Sequence, residues 1–230
     1  MNIALVVAGG IGLRTKNYVP KQFLTIYDKP IIIYTIENLM KVGCFDKIFV
    51  VASGGWNDFI DSYVKQYNIT SFYGTISPGQ TRLESVFNGI EYLQKSGFSD
   101  STVAIIDANR PLIPSQVFID AISLLKECDC VLPMDPCYDS MFIVDRDTQS
   151  VTSAVDRSIL FKGQTPEVCK VRTGYEVLSK LGYSLQNRSL TDTMLLAGKH
   201  VKCVKGSALG FKITTADDIA IFKALVDGAK

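Results

Sequence analysis

Several stretches of the chain carry residue types that can handle phosphate. The first is Ala8-Gly9-Gly10-Ile11-Gly12-Leu13-Arg14, followed by Pro20-Lys21-Gln22. A Gly-rich turn after a strand presents backbone N–H groups to an anion. Arg14 and Lys21 add two cations beside those amides. That combination suits a triphosphate, whose charge amides alone do not neutralise. The plainer reading is a Gly turn with surface cations. The stretch is not a P-loop, because no Gly-Lys-Ser/Thr closes it. Nor is it a dinucleotide fingerprint, which needs Gly or Ala where Thr15 stands.

The second stretch is Gly79-Gln80-Thr81-Arg82-Leu83-Glu84-Ser85, at the start of a predicted helix. Early polar side chains there can read a base edge or bind phosphate, or simply form a helix N-terminal turn. The third is Asp107-Ala108-Asn109-Arg110-Pro111, directly after an apolar strand. An acid at the carboxyl end of a parallel strand suits Mg²⁺, which takes one or two carboxylates plus phosphate oxygens. Arg110 can hold a second phosphate. The alternative is a turn salt bridge between Asp107 and Arg110. A late group offers further hydroxyls and cations: Asp139-Ser140, Asp156-Arg157, Gln164-Thr165-Pro166 and Lys212-Ile213-Thr214-Thr215.

The elements that must position these residues alternate. Apolar runs at 3–7, 47–52, 69–73, 102–106, 130–133 and 201–204 read as strands. Helical spacing covers 30–42, 57–66, 82–94, 115–127, 172–181 and 216–226. Strands apolar on both faces, alternating with helices, imply a mostly parallel sheet covered on both sides. The expectation is one α/β domain over residues 1–230, of three-layer Rossmann-like type. The alternation breaks at Met141 to Ala154, where two apolar runs flank the polar turn Asp145 to Ser150. That is a hairpin, read as a projecting dimerisation arm spanning about 137–160. An antiparallel edge pair is the alternative. Thr215 and Asp218 have capping-box spacing at the last helix.

Composition removes other chemistries. The 230 residues hold 24 Lys+Arg against 23 Asp+Glu, so no global basic stripe points to nucleic acid. Histidine occurs once, at His200 in a strand-like context, which rules out a His-rich metal centre. Six cysteines form no CxxC pair, and no apolar stretch reaches membrane-span length. Free thiols in a reducing cytoplasm are expected.

In this order, the motifs resemble the cytidylyltransferase family that makes CDP-polyols. Ala8 to Arg14, Pro20 to Leu24, Gly79 to Ser85, Asp107 to Pro111, Gly163 to Pro166, Thr191-Asp192 and Lys212 to Asp218 carry the likeness. The resemblance implies that Ala8, Gly9, Gly10, Gly12, Arg14 and Lys21 bind the CTP triphosphate, with Arg14, Lys21 and Lys212 catalytic. It implies Gly79, Arg82 and Ser85 at the cytidine end and Mg²⁺ on Asp107. Arg110, Thr165 and Lys212 would bind the polyol phosphate, with Ser140 and Arg157 reaching across a homodimer. Gly55-Trp56 to Tyr67 and Phe161 to Pro166 look more like the ribitol-5-phosphate branch, whose product CDP-ribitol is a precursor of cell-surface polysaccharide or teichoic acid. The 2-C-methyl-D-erythritol 4-phosphate branch is the alternative, as is a nucleotide-binding homologue without turnover. Three departures fall on the acceptor side: Ser140-Met141-Phe142 near the arm, Glu167 after Pro166, and Gly210 where the family usually has Asn.

Overall fold

Apolar runs build the sheet. β1 (Asn2–Val7) is apolar after its first residue, and Ile3 to Val6 have no exposed surface. The computed structural model describes residues 1–10, 19–182 and 189–228. After β1 come a small hairpin, β2 (Thr25–Ile26) and β3 (Lys29–Pro30), then α1 (Ile31–Val42), β4 (Lys47–Val51), α2 (Asn57–Gln66), β5 (Phe72–Ile76), α3 (Arg82–Lys95), β6 (Thr102–Asp107), α4 (Ser115–Leu124) and β7 (Cys130–Pro136). The second half holds β8 (Met141–Val144), β9 (Val151–Val155), β10 (Phe161–Gly163), β11 (Glu167–Lys170), α5 (Val171–Leu181), α6 (Leu190–Leu196), β12 (Val201–Lys205) and α7 (Ala216–Asp227).

Among the described residues, eight strands form the central sheet. β6, β1, β4 and β5 lie side by side and parallel. β12 is parallel to β7. Between β7 and β6 runs β11, antiparallel to both, and β10 continues along the same edge of β7. The α/β, mostly parallel expectation therefore holds, with two short strands, β10 and β11, reversed.

The two faces of the sheet are read off alternate residues. Ala4, Val6, Ile48, Val50, Ala104 and Ile106 pack under α1, α2 and α4 through Ile33, Ile36, Ile60, Val117 and Phe118. Ile3, Leu5, Phe49, Val51, Val103 and Ile105 pack under α3, α5 and α6 through Val86, Ile90, Val177, Leu178 and Met194. Each Val, Leu, Ile, Phe or Met among these, when fully buried, contributes about 1.5–3 kcal/mol. A third, smaller core joins Ile26, Ile31, Ile213 and Phe222, and so fastens α7 and the segment before it to the start of α1.

Local chemistry explains most boundaries. α1 stops at Gly43, whose φ of 71° is the left-handed turn of a helix end. The strand expected at 69–73 begins later, at Phe72. Asn68 N–H bonds Lys65 C=O at 3.1 Å and Ile69 N–H bonds Val64 C=O at 3.0 Å. Those two bonds make the end of α2 a Schellman cap, so Ile69 is its apolar plug and not a strand residue. α4 gives way at Leu124 to a 3-10 turn, Leu125–Glu127, within the segment expected to be helical throughout. Both capping-box bonds join Thr215 and Asp218 at the start of α7. β8 and β9 form the expected hairpin as a separate two-stranded sheet, exposed along its length.

Candidate functional site

The chain leaves β1 to build β4 and β5 on one side, then returns for β6 on the other. The carboxyl ends of β1 and β6 thus flank a reversal in winding, the place where open α/β sheets bind ligands. Val7 and Asp107 pair across those two ends. The Gly turn and the Asp107 turn are therefore neighbours by topology.

Asp107 is 5% exposed and surrounded by cations. Arg82 Nε donates to its Oδ1 at 3.0 Å, and Arg110 Nε donates to Oδ2 at 3.1 Å. Lys212 Nζ lies 3.2 Å from Oδ2. Burial pushes the Asp107 carboxyl up, but the charges of Arg82, Lys212 and Arg110 outweigh it and hold the group well below the usual carboxylate range. The Asp107–Arg110 turn salt bridge is thus present, as one arm of a larger cluster. The backbone N–H of Asp107 bonds Thr165 Oγ1 at 3.4 Å, which brings in the loop before β11.

Glu167 is the second anion, 3% exposed at the start of β11. It accepts from Arg82 Nη2 at 3.1 Å, from Thr191 N–H at 2.8 Å and from Thr191 Oγ1 at 2.9 Å. Because β11 runs antiparallel, its first residue falls beside the last residues of β6. Burial disfavours the Arg82 cation, but Asp107 and Glu167 outweigh that and raise its pKa. A cavity of about 160 Å³ opens here, and its walls include Arg82, Asp107, Arg110, Thr165, Gln164 and Glu167.

The Gly turn is held differently. Gln22 Nε2 donates to Ala8 C=O at 2.6 Å and Gly10 C=O at 2.9 Å. Lys21 precedes Gln22 in the 3-10 turn Lys21–Phe23 and is therefore kept beside the turn. Phe23 stacks on Trp56 at 4.0 Å between ring centroids and anchors the same segment from behind. Gly9 has no room for a side chain, since a Cβ there would lie 2.7 Å from Pro78 Cβ. Gly12 and Arg14 lie outside the described residues.

Several expected ligand groups turn out to be engaged within the protein. The Ser85 hydroxyl accepts Gly79 N–H at 3.1 Å and donates to Thr81 C=O at 2.8 Å, so it shapes the Gly79 turn. Arg82, expected at the cytidine end, is joined to Asp107 and Glu167 beside Arg110 and Thr165. Thr214 and Thr215 bind Asp218 at the start of α7. Although burial raises the pKa of Asp218, those bonds hold it at about 2. Ser140 and Arg157 flank the exposed hairpin, before β8 and after β9, and are not among the cavity walls.

Asp107 Oδ1 accepts one bond and keeps a lone pair. Among the described residues no group of three His, Cys, Asp or Glu side chains is gathered to hold a metal. One lone pair of a single carboxylate, beside Arg82, Arg110 and Lys212, is therefore what this site offers a metal; an ion held there would take its other ligands from phosphate and water.

The family model described as "IspD: 2-C-methyl-D-erythritol 4-phosphate cytidylyltransferase" matches residues 2–228. The chain belongs to the IspD family. It is a cytidylyltransferase, and so a nucleotidyltransferase. Ribitol-5-phosphate cytidylyltransferase of Lacticaseibacillus paracasei is 31% identical over 97% of this chain and 97% of that protein. The protein of the same name from Lactiplantibacillus plantarum is 35% identical over 99% of both. The crystal structure of a 4-diphosphocytidyl-2C-methyl-D-erythritol synthase superposes with a TM-score of 0.82 at 23% identity, over 98% of each chain, a likeness of fold.

Within the IspD family pattern, two departures now have a local account. At Gly210 a Cβ would meet Gln164 Oε1 at 2.9 Å. Gln164 fills that space, bonding Ser207 N–H at 3.1 Å and Ser207 C=O at 2.9 Å. At 167 the carboxylate supplies a second counter-charge for Arg82. Gln22 and Gln164 lie inside the motifs and Glu167 was noted as a departure, but none was given a role; each acts through bonds to backbone or to a distant partner. Replacing Glu167 by Gln keeps the shape and removes one of the two anions on Arg82. Glu167→Gln is expected to lower stability by about 1–3 kcal/mol in urea unfolding, while kcat stays within about threefold of wild type. Unchanged stability would mean the Arg82–Glu167 pair contributes nothing.

Proposed function

We propose that the chain couples CTP to ribitol 5-phosphate, giving CDP-ribitol and pyrophosphate. The observation that carries this reading is the end-to-end similarity to proteins named ribitol-5-phosphate cytidylyltransferase, at 31–35% identity. The cavity supports it: Arg82 and Arg110 stand in its wall, Lys212 meets the same Asp107 carboxylate, and such cations suit an acceptor that ends in phosphate.

The reaction joins two polyanions. An acceptor phosphate has a second pKa near 6 and is mostly dianionic at neutral pH, so it needs no general base. One of its oxygens attacks the α-phosphorus of CTP in line. The bond from that phosphorus to the oxygen bridging to the β-phosphate breaks, and pyrophosphate leaves with the electron pair. The protein's work is to hold the partners together and balance charge at the α-phosphate. Lys21, held beside the Gly turn by its neighbour Gln22, and Arg14 would face the triphosphate. Arg110 and Lys212 would exchange part of their hold on Asp107 for acceptor phosphate, with Thr165 beside them. Mg²⁺ on Asp107 and phosphate oxygens would neutralise triphosphate charge when bound.

The hairpin supports a homodimer. Phe142, Ile143, Val144 and Val151 are each about half exposed or more, and Ile159 is 74% exposed. A lone two-stranded ribbon is marginal in water, and an apolar one calls for a cover. A second copy would bury it and bring Ser140 and Arg157 to the partner's acceptor site. The chain would then act as one catalytic unit with a crossing arm. Six free cysteines fit a reducing cytoplasm, and among the described residues no helix is long and apolar enough to cross a membrane. CDP-ribitol would feed a cell-surface polymer.

Pyrophosphate release from CTP tests the reaction, with ribitol 5-phosphate, 2-C-methyl-D-erythritol 4-phosphate and other polyol phosphates as acceptors. The expected kcat/KM is highest for ribitol 5-phosphate. A preference for the erythritol phosphate would move the chain to the other branch, and no release with any acceptor would overturn the activity.

Mixing two inactive variants tests the crossing arm. Lys21→Ala and Arg157→Ala should each be crippled alone. If the two residues serve one site from different chains, a heterodimer has one intact site. Random exchange makes about half of all dimers mixed, so about a quarter of wild-type activity should return. No recovery after confirmed subunit exchange would place both residues in one chain.

A further inference from the structure

Lys212 comes from an irregular segment, between the 3-10 turn Ala208–Gly210 and the cap of α7. Neither strand nor helix fixes its direction. The segment is held by the two residues that follow Ala108. Asn109 C=O accepts Ile213 N–H at 2.9 Å, and Asn109 Nδ2 donates to Ile213 C=O at 2.7 Å. The Asn109 residue therefore grips both polar groups of one backbone unit. Arg110 Nη1 donates to Gly210 C=O at 2.5 Å. Lys212 is thus bracketed at 210 and 213 by neighbours of Asp107, the residue its ammonium meets at 3.2 Å.

The other end of this grip is firm. Ala108 C=O accepts Thr35 Oγ1 at 2.8 Å, and Ala108 N–H bonds Val7 C=O at 3.1 Å. The turn carrying Asn109 is thereby pinned to α1 and to β1. The Ile213 side chain is fully buried against Ile26, Ile31 and Phe222. Between these two anchors, the Asn109 amide is the side-chain link to the 213 backbone itself, beside the Arg110 bond to Gly210 further back.

We propose that Asn109 is a positioning residue for the transfer reaction: through its two bonds to Ile213 it sets Lys212 toward the phosphate site beside Asp107. The proposal rests on the reading of Lys212 as a phosphate-binding cation. Asn109 itself need touch no substrate. A cation on a long flexible side chain gives strong charge stabilisation only if its backbone is fixed, and a shift of about 1 Å can cost on the order of a hundredfold in rate.

The test is a double-mutant cycle on kcat/KM with CTP and ribitol 5-phosphate, using Asn109→Ala, Lys212→Ala and the double variant, with urea unfolding of each. Asn109→Ala is expected to lower kcat/KM about tenfold in a folded protein, a loss of the size of one good hydrogen bond. Lys212→Ala should lose on the order of a hundredfold or more. In the Lys212→Ala background, removing the Asn109 amide should change kcat/KM by less than about twofold, because the group it positions is gone. A full tenfold loss in that background would show a structural role unrelated to Lys212 and overturn the proposal. So would wild-type kcat/KM in Asn109→Ala. If Asn109→Ala does not fold, Asn109→Ser takes its place in the same cycle. The two failures are separable. A normal Asn109→Ala beside a crippled Lys212→Ala refutes the positioning role alone. A normal Lys212→Ala refutes the reading of Lys212, and the positioning role with it.

Discussion

One buried carboxylate holds three cations that would otherwise repel each other. Arg82 starts α3, Arg110 follows β6 and Lys212 precedes α7, and all three meet at Asp107. Two unit charges about 4 Å apart interact by about 4 kcal/mol at the effective dielectric of a protein surface. Without the carboxylate the cations would spread, and three separate elements would lose their common point. Glu167 adds a second anion, so the cluster of three cations and two carboxylates keeps a net positive charge. That surplus is what a phosphate group can satisfy. On the proposed reading, the free protein already has these cations converged, and substrate phosphate would have only to share them.

The remainder of the fold serves that convergence. Val7 and Asp107 are in register, so the Gly turn and the carboxylate share one end of the sheet. The Gly turn is strapped by Gln22, which also sets the place of Lys21. β11 enters reversed between β6 and β7, and only that direction delivers Thr165 and Glu167 to the same end. The late segment is anchored by an apolar plug on one side and by polar bonds on the other. The hairpin stands apart from all this, an exposed apolar ribbon flanked by Ser140 and Arg157, which lie away from the cavity of their own chain.

Much of this was legible in the residues. Long apolar runs and helical spacing carry their own signal, so β1, β4, β6, β7 and most helices stand where periodicity puts them. Asp107, Arg110 and Lys212 were legible as charged residues at strand ends or beside a cap. What was missed is short or non-local. β10 and β11 are three and four residues long, too brief for a period, and β11 opens with a glutamate that only a partner far along the chain allows to be buried. α6 has seven residues and is helped by its capping box. Gln22, Glu167 and Asn109 look like ordinary polar residues until the backbone groups they bind are known. Ser85, Thr214 and Thr215 are the opposite case. Their hydroxyls suit a phosphate, and in the free protein they bind nearby backbone and carboxylate groups.

The central claim is that the charge on Asp107 organises the site. Urea unfolding of Asp107→Asn against wild type, followed from neutral pH downward, measures that charge with little change of shape. The folded-state pKa is lowered, so the stabilisation is complete above the unfolded pKa of about 4 and is lost as pH falls through the depressed value. At pH 7 the variant should be less stable by about 2–4 kcal/mol, and this gap should narrow only in strongly acidic solution. Equal stability at pH 7, to within about 0.5 kcal/mol, would contradict the account.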